Sequence, residues 1–399
     1  MSARLAASLP HLLALSLLAR PAAAAVLQVG PGRALTTPSA AAAVAASGDT
    51  VEIDAGLYAG NAAVWTDSGL LIRSVGGFAH LRADGAYAQG KAIWVIQGDS
   101  TTVEGIEFSE ASVPDMNGAG IRQEGDGLTV RGCFFHDNEE GILGGGGPAS
   151  RVLIESSEFA TNGFGDGFSH NVYISQHIQS LTVRFSYFHH AVIGHQIKSR
   201  ANENYILYNR VMDETTGNSS ILLDVPNGGT TIVVGNLFQQ GPLAQNQVML
   251  GYGLEGLTNP ASDLYVVNNT FVNQRVGCTF VKVAAGATPA IVKNNLFVGG
   301  GTFLEGPGAV ATSVEGPLTD LVDAALFDYR LRAASAAVDS AGDPGFAGVF
   351  DLTPAFQYVH DLQGAPRPVL GPLDAGAYEH DPSQAAEPRS WGWLKGRFR

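Results

Sequence analysis

Cysteine is scarce in this chain of 399 residues, with only Cys133 and Cys278, so at most one disulfide can form. Long apolar runs are also missing. After the first 25 residues no stretch offers the roughly 20 apolar residues that a membrane-spanning helix requires, which excludes an integral helical membrane protein. Positive charge is in deficit, with 23 Lys and Arg against 37 Asp and Glu and a net charge of −14. Nucleic acid is thereby excluded as a partner, because its binders neutralise phosphates with a basic surface. The glycine run Gly144 to Gly147 is followed by neither Lys-Ser/Thr nor a helical pattern. It reads as a tight turn and not as a phosphate cradle.

The two ends differ from the rest. Residues 1–25 carry Arg4, the apolar run LLALSLL and then small residues, the pattern of a removed secretory signal. Pro10, His11, Arg20 and Pro21 interrupt it as a membrane anchor. The expected protein is exported, periplasmic or extracellular. Residues 383–399 form a basic, aromatic tail with Trp391, Trp393, Lys395, Arg397 and Arg399, expected to be a flexible end.

Between the ends the sequence repeats itself. An apolar strand, a turn residue and then Phe recur at Phe108, Phe135, Phe159, Phe188, Phe238, Phe271 and Phe297, with Val211 in the same place, at intervals of 23 to 33 residues. Propeller blades of about 40 residues or more do not fit this spacing. Short β-branched strands without intervening helices suit a coil that stacks on its neighbours through parallel strands. The asparagine pairs Asn268-Asn269 and Asn294-Asn295 then fall at one turn, where Asn tolerates left-handed backbone and side-chain amides can pair along the stack. Ahead of the coils, Thr37 and Pro38 read as the N-cap and first turn of a short helix ending near Gly48. Such a helix would cover the open end of the repeat. Cys133 and Cys278 lie about five coils apart on this reading, roughly 24 Å at strand spacing, and are expected to be buried free thiols.

These coils, the segment GDTVEIDAGLY and the closing phrases 328–342, 360–368 and 373–380 resemble the bacterial secreted right-handed parallel β-helix proteins of the pectin-lyase-like superfamily. The resemblance implies an all-β, right-handed parallel β-helix with a short N-terminal capping helix. The expected organisation is a signal over 1–25, the β-helix over 26–316, a closing segment over 317–382 and the tail over 383–399. A monomer is expected.

The candidate site lies in 169–200, which holds His170, His177, His189, His190 and His195, half of the ten histidines. Arg184, Lys198, Arg200 and Arg210 face only Glu203 within 170–210, a local +3 suited to an anionic ligand. Aligning NVYIS, HQIKSR, SILLDV and QVMLGY with Val172, Ile197, Leu223 and Val248 inward turns Tyr173, Lys198, Arg200, Leu222 and Asp224 outward. Asp166 and His170 would lean over this patch, His195 would start the next strand and Asn227 would border it.

Such groups suit an acidic, uronate polysaccharide. Arg200 would neutralise the carboxylate bidentately, Lys198 would take the carbon-5 proton, and Tyr173 or a histidine, His170 or His195, would protonate the leaving oxygen. Asp166, Asp224 and Asn227 would bind substrate. Lys198 and Arg200 are similar to the Lys and Arg of parallel β-helix alginate lyases and chondroitinase, which implies calcium on the substrate carboxylate as the candidate cofactor. His170, Tyr173, Arg200 and Asp166 are similar in type to the set used by uronate epimerases. A hydrolase of polygalacturonase type, with Asp166 and Asp224 as the acidic couple, and a non-catalytic glycan-binding or adhesin β-helix are the alternatives.

Overall fold

A computed structural model describes residues 24–383; the expected signal and the basic tail lie outside the described residues, save for their innermost positions. Each coil contributes three short strands. One joins a sheet of ten parallel strands running from Ala63–Trp65 through Val172–Ile174, Ile197–Ser199, Leu223–Val225 and Val248–Tyr252 to Thr302–Glu305. The other two enter a 21-stranded sheet that wraps the remaining sides, as Leu128–Arg131 and Phe134–His136 do within one coil. The short strands stack because each pairs in register with its counterpart one coil away.

The repeat positions set that register. Phe108, Phe135, Phe159, Phe188, Val211, Phe238, Phe271 and Phe297 are consecutive partners. All are fully buried. Neighbouring rings from Phe108 to Phe188 stack at 4.9, 4.8 and 4.7 Å. A polar ladder runs beside them, since a turn buried between coils must have its backbone groups satisfied. Asn209 donates to Asn236, Asn236 to Asn269 and Asn269 to Asn295, at 3.0, 2.9 and 3.1 Å. Asn268 and Asn294 adopt left-handed backbone, as expected for that turn.

Thr37 caps the helix Pro38–Ala42 through a 3.3 Å bond from Ala40 N, and Ala41 joins the core of the first coil. Cys133 and Cys278 are buried and free, with burial pushing both thiols up to about 12. Residues after 316 do not extend the coil. They fold back along its flank, where Tyr329, Leu331, Tyr358, Ala375 and Ala377 pack on Tyr187, Met212, Leu237, Val272, Leu296 and Val298.

Two details of the expected alignment are corrected. Leu222 is fully buried in the core, because the chain turns just before strand Leu223–Val225. Leu223 pairs with Leu250 and not Val248. A two-residue slip preserves which side chains face inward, so hydrophobic alternation alone does not fix it.

Candidate functional site

The outward row of the ten-stranded sheet reads Tyr173, Lys198, Asp224 and Gly251 on adjacent strands. Arg200 follows one residue past the end of its strand. The guanidinium donates from Nε to the Tyr173 hydroxyl at 3.0 Å and from an Nη to Asn227 Oδ1 at 2.5 Å. Thus Tyr173, Lys198, Arg200, Asp224 and Asn227 do meet in one patch.

The patch has a member that the sequence reading missed. Glu255 bridges the two cations, with one carboxylate oxygen 3.0 Å from Lys198 Nζ and the other 2.6 Å from Arg200. It arrives on the turn after strand Val248–Tyr252. Gly251 permits this, because a Cβ there would lie 2.9 Å from Leu254 and 3.1 Å from Asp224. The turn is tied down by Thr258 N to Asn227 O at 3.1 Å and by Asn259 Nδ2 to Ala201 O and Gly228 O, both at 2.9 Å. A signal for it existed in the sequence: the longest repeat interval, between Phe238 and Phe271, contains this glycine-punctuated insertion.

Two buried imidazoles form the floor. His170 and His195 stack at 4.8 Å and nearly parallel. Each uses Nδ1 to accept a backbone N–H, from His195 and Ile221 respectively, which leaves the proton of the neutral ring on Nε2. Burial, with Lys198 adding to it, lowers His195 to about 3, and burial with His195 beside it places His170 well below its ordinary range. At 2% and 8% exposure these rings support the patch from beneath; His170 does not lean over it. His195 Nε2 lies 3.5 Å from the Asp224 carboxylate. Below the pair, Glu140 accepts from His170 N at 3.0 Å, and its burial raises its carboxyl well above the usual range. Glu140 is a second group the sequence reading missed.

Asp224 sits 3.5 Å from Lys198 Nζ. Burial raises it to about 6 even though Lys198 opposes the shift. Glu255 goes the other way: its partial burial is outweighed by Arg200 and Lys198, which hold it below the ordinary carboxylate range.

Other expectations are corrected. Asp166 is not brought to the cations; its carboxylate accepts from Phe168 N, Ser169 N and Ser169 Oγ at 2.9, 3.0 and 2.7 Å and so closes its own loop. The local +3 does not form one surface. Arg184 pairs with Glu155 at 2.5 Å on the other sheet and Arg210 lies against Tyr187 and Phe327 under the flank segment. At the patch itself Asp224 and Glu255 offset Lys198 and Arg200. His189 belongs to the other sheet, where it meets Glu158 at 3.0 Å, His190 follows just past the end of that strand, and His177 lies on an exposed turn.

Calcium takes six to eight oxygen ligands. The carboxylates of the patch, Asp224 and Glu255, are each held by a cationic side chain, so this group of residues does not fit calcium. Among the described residues the one grouping of three metal-ligating residues is elsewhere, at His80, Glu107 and His136.

The family "Right handed beta helix region" matches residues 68–238. The crystal structure of pectate lyase Pel9A superimposes with a TM-score of 0.63 at 14% identity, over 90% of this chain and 96% of that one. No curated protein matches by sequence. The chain therefore has the right-handed parallel β-helix fold, which it shares with that pectate lyase.

Proposed function

We propose that this protein is an exported enzyme that cleaves an acidic, uronate-containing polysaccharide by β-elimination at the Lys198 and Arg200 patch. The observation that carries the reading is the bridge to Glu255: a carboxylate already sits with one oxygen on Lys198 and the other on Arg200. A uronate carboxylate that displaces Glu255 takes the same two contacts. Half-exposed on a turn, Glu255 can give way to it, whereas Arg200 is anchored by Tyr173 and Asn227.

In this reading Arg200 holds the substrate carboxylate as charge develops on it, and Lys198 is the base that removes the proton from carbon 5. The electron pair of that C–H bond forms the carbon-4 to carbon-5 double bond as the carbon-4 to oxygen bond breaks. Tyr173, whose hydroxyl oxygen accepts from Arg200 and whose own proton remains to be given, protonates the leaving oxygen. Phe168, 83% exposed two residues before His170, offers a face on which a sugar ring can stack.

A second reading is favoured by one observation. Asp224 is raised to about 6 while Glu255 is lowered, and carboxylates whose environments push them apart are what a hydrolase uses as acid and base. The test is a panel of acidic glycans followed by absorbance of the unsaturated uronate product and, separately, by reducing ends. β-Elimination gives both signals. Reducing ends without the absorbance would favour the hydrolase, and cleavage of neutral glycans alone would remove the role given to Arg200.

A further inference from the structure

On the other sheet, three successive coils bring two imidazoles and a carboxylate together on the outward face. His80 pairs directly with Glu107 on the next strand, and His136 pairs with Ser109 on the strand after. Glu107 Oε1 lies 3.5 Å from His80 Nδ1 and 3.1 Å from His136 Nε2. The ligand atoms of all three lie within 4.8 Å of one another. For metal-ligand bonds of about 2.0–2.1 Å, tetrahedral geometry puts neighbouring ligand atoms about 3.3–3.4 Å apart, so the two contacts with Glu107 already have the required spacing.

The remaining ring nitrogens are also engaged. His80 Nε2 meets Ser109 Oγ at 2.7 Å, and His136 Nδ1 meets Asp137 Oδ2 at 2.7 Å. Asp137 is itself held by the Thr161 hydroxyl at 2.8 Å. Imidazoles that ligate metals donate their other N–H to a carboxylate, hydroxyl or carbonyl in this way. In the tautomers that put the ring protons on His80 Nε2 and His136 Nδ1, the lone pairs of His80 Nδ1 and His136 Nε2 face Glu107 Oε1. Three acceptors meeting there take either a proton, which against its burial Asp137 and Glu107 favour on His136 by raising it to about 9, or a cation that replaces that proton. Phe134 stacks on His136 at 4.4 Å and fixes the ring plane. The flank segment after residue 316 packs further along the coil, from Phe185 onward.

We propose that His80, Glu107 and His136 form a binding site for one divalent transition metal, with Asp137 and Ser109 orienting the imidazoles. Two nitrogens and one carboxylate oxygen suit zinc, and three protein ligands leave a fourth position to water. The site joins three adjacent coils and is separate from the Lys198 patch, so it stands or falls independently of the proposed cleavage reaction.

The test uses the full chain without a histidine tag, stripped with chelator and titrated with zinc by calorimetry. Wild type should bind one zinc per chain, and cobalt at the same stoichiometry should give the visible absorption of a low-coordinate nitrogen and oxygen site. His80→Ala or His136→Ala should weaken zinc at least 100-fold, and Asp137→Asn should weaken it about 10-fold. Lys198→Ala should bind zinc as wild type does. Because a truncated histidine could disturb the sheet, Glu107→Gln serves as the conservative variant: it should keep its circular dichroism spectrum and lose the rise in Tm that zinc gives wild type. Absence of stoichiometric zinc in wild type, or zinc binding unchanged in His80→Ala, His136→Ala and Glu107→Gln, would overturn the site.

Discussion

The inward and outward faces of the coil are built on opposite principles. Inward, Phe108 to Phe297 and the Asn209 to Asn295 ladder repeat one solution coil after coil, so each group is held by copies of itself above and below. Outward, Tyr173, Lys198, Arg200, Asp224 and Glu255 occur once, and they are held by one another and not by copies of themselves. Repetition specifies a stack and non-repetition specifies a place on it. Substitutions on the two faces should therefore fail differently, one through stability and the other through turnover.

The largest expected effect is on turnover. Lys198→Ala should lower kcat/KM on a verified glycan 10³-fold or more, about 4 kcal/mol of transition-state stabilisation. Arg200→Lys should lose nearly as much, because an ammonium cannot make the two-point grip. Lys198 is not an ordinary surface lysine: its side chain is 12% exposed and faces the buried Asp224. Its removal should cost more than the roughly 0.5 kcal/mol of a typical surface change, so rates must be compared at temperatures where both proteins are folded. Wild-type rates in both variants would remove the patch from the chemistry.

On the inner face the loss should be in stability. Phe159→Ala removes one ring from a stack with neighbours at 4.8 and 4.7 Å and should cost about 3–5 kcal/mol in denaturant unfolding. The folded fraction should keep its kcat. A mild stability loss with strongly reduced kcat would show that the two faces are not separable.

Asp224 sharpens the contrast through pH. Its carboxyl is raised to about 6 in the fold against about 3.9 in an unfolded chain, so the folded state binds its proton more tightly. This contribution makes stability fall by about 3 kcal/mol as pH rises from about 4 to 6. His195, lowered to about 3, works in the opposite direction across the same window, because the unfolded state takes up the proton first. Asp224→Asn should unmask it. The stability of the variant minus that of wild type should grow by about 3 kcal/mol between pH 4 and 6 in denaturant titrations, and a constant difference would show that Asp224 is not held in its buried, protonated form. The same group divides the two chemistries. A hydrolase using protonated Asp224 as its acid should lose kcat/KM as pH rises through about 6, whereas β-elimination by Lys198 should not.

The sequence by itself determined the stack. Recurrent Phe and Asn positions gave the coil, its inward face and its buried free thiols, because a repeat must satisfy the same burial and hydrogen-bond demands at every level. It also brought Tyr173, Lys198 and Arg200 together, since side chains two apart on a strand share a face and register partners lie beside them. Only the tertiary structure decided the rest. Glu255 reaches Lys198 from 57 residues away through an insertion that no periodicity describes. His80, Glu107 and His136 looked unrelated because each sits singly on its own coil. Asp166 was drawn into its own loop by short-range hydrogen bonds, and the counted positive charge was dispersed over two sheets. Periodicity reports which residues face in and which face out, but contacts between coils outside the repeat depend on loop paths, and these are set by packing in three dimensions.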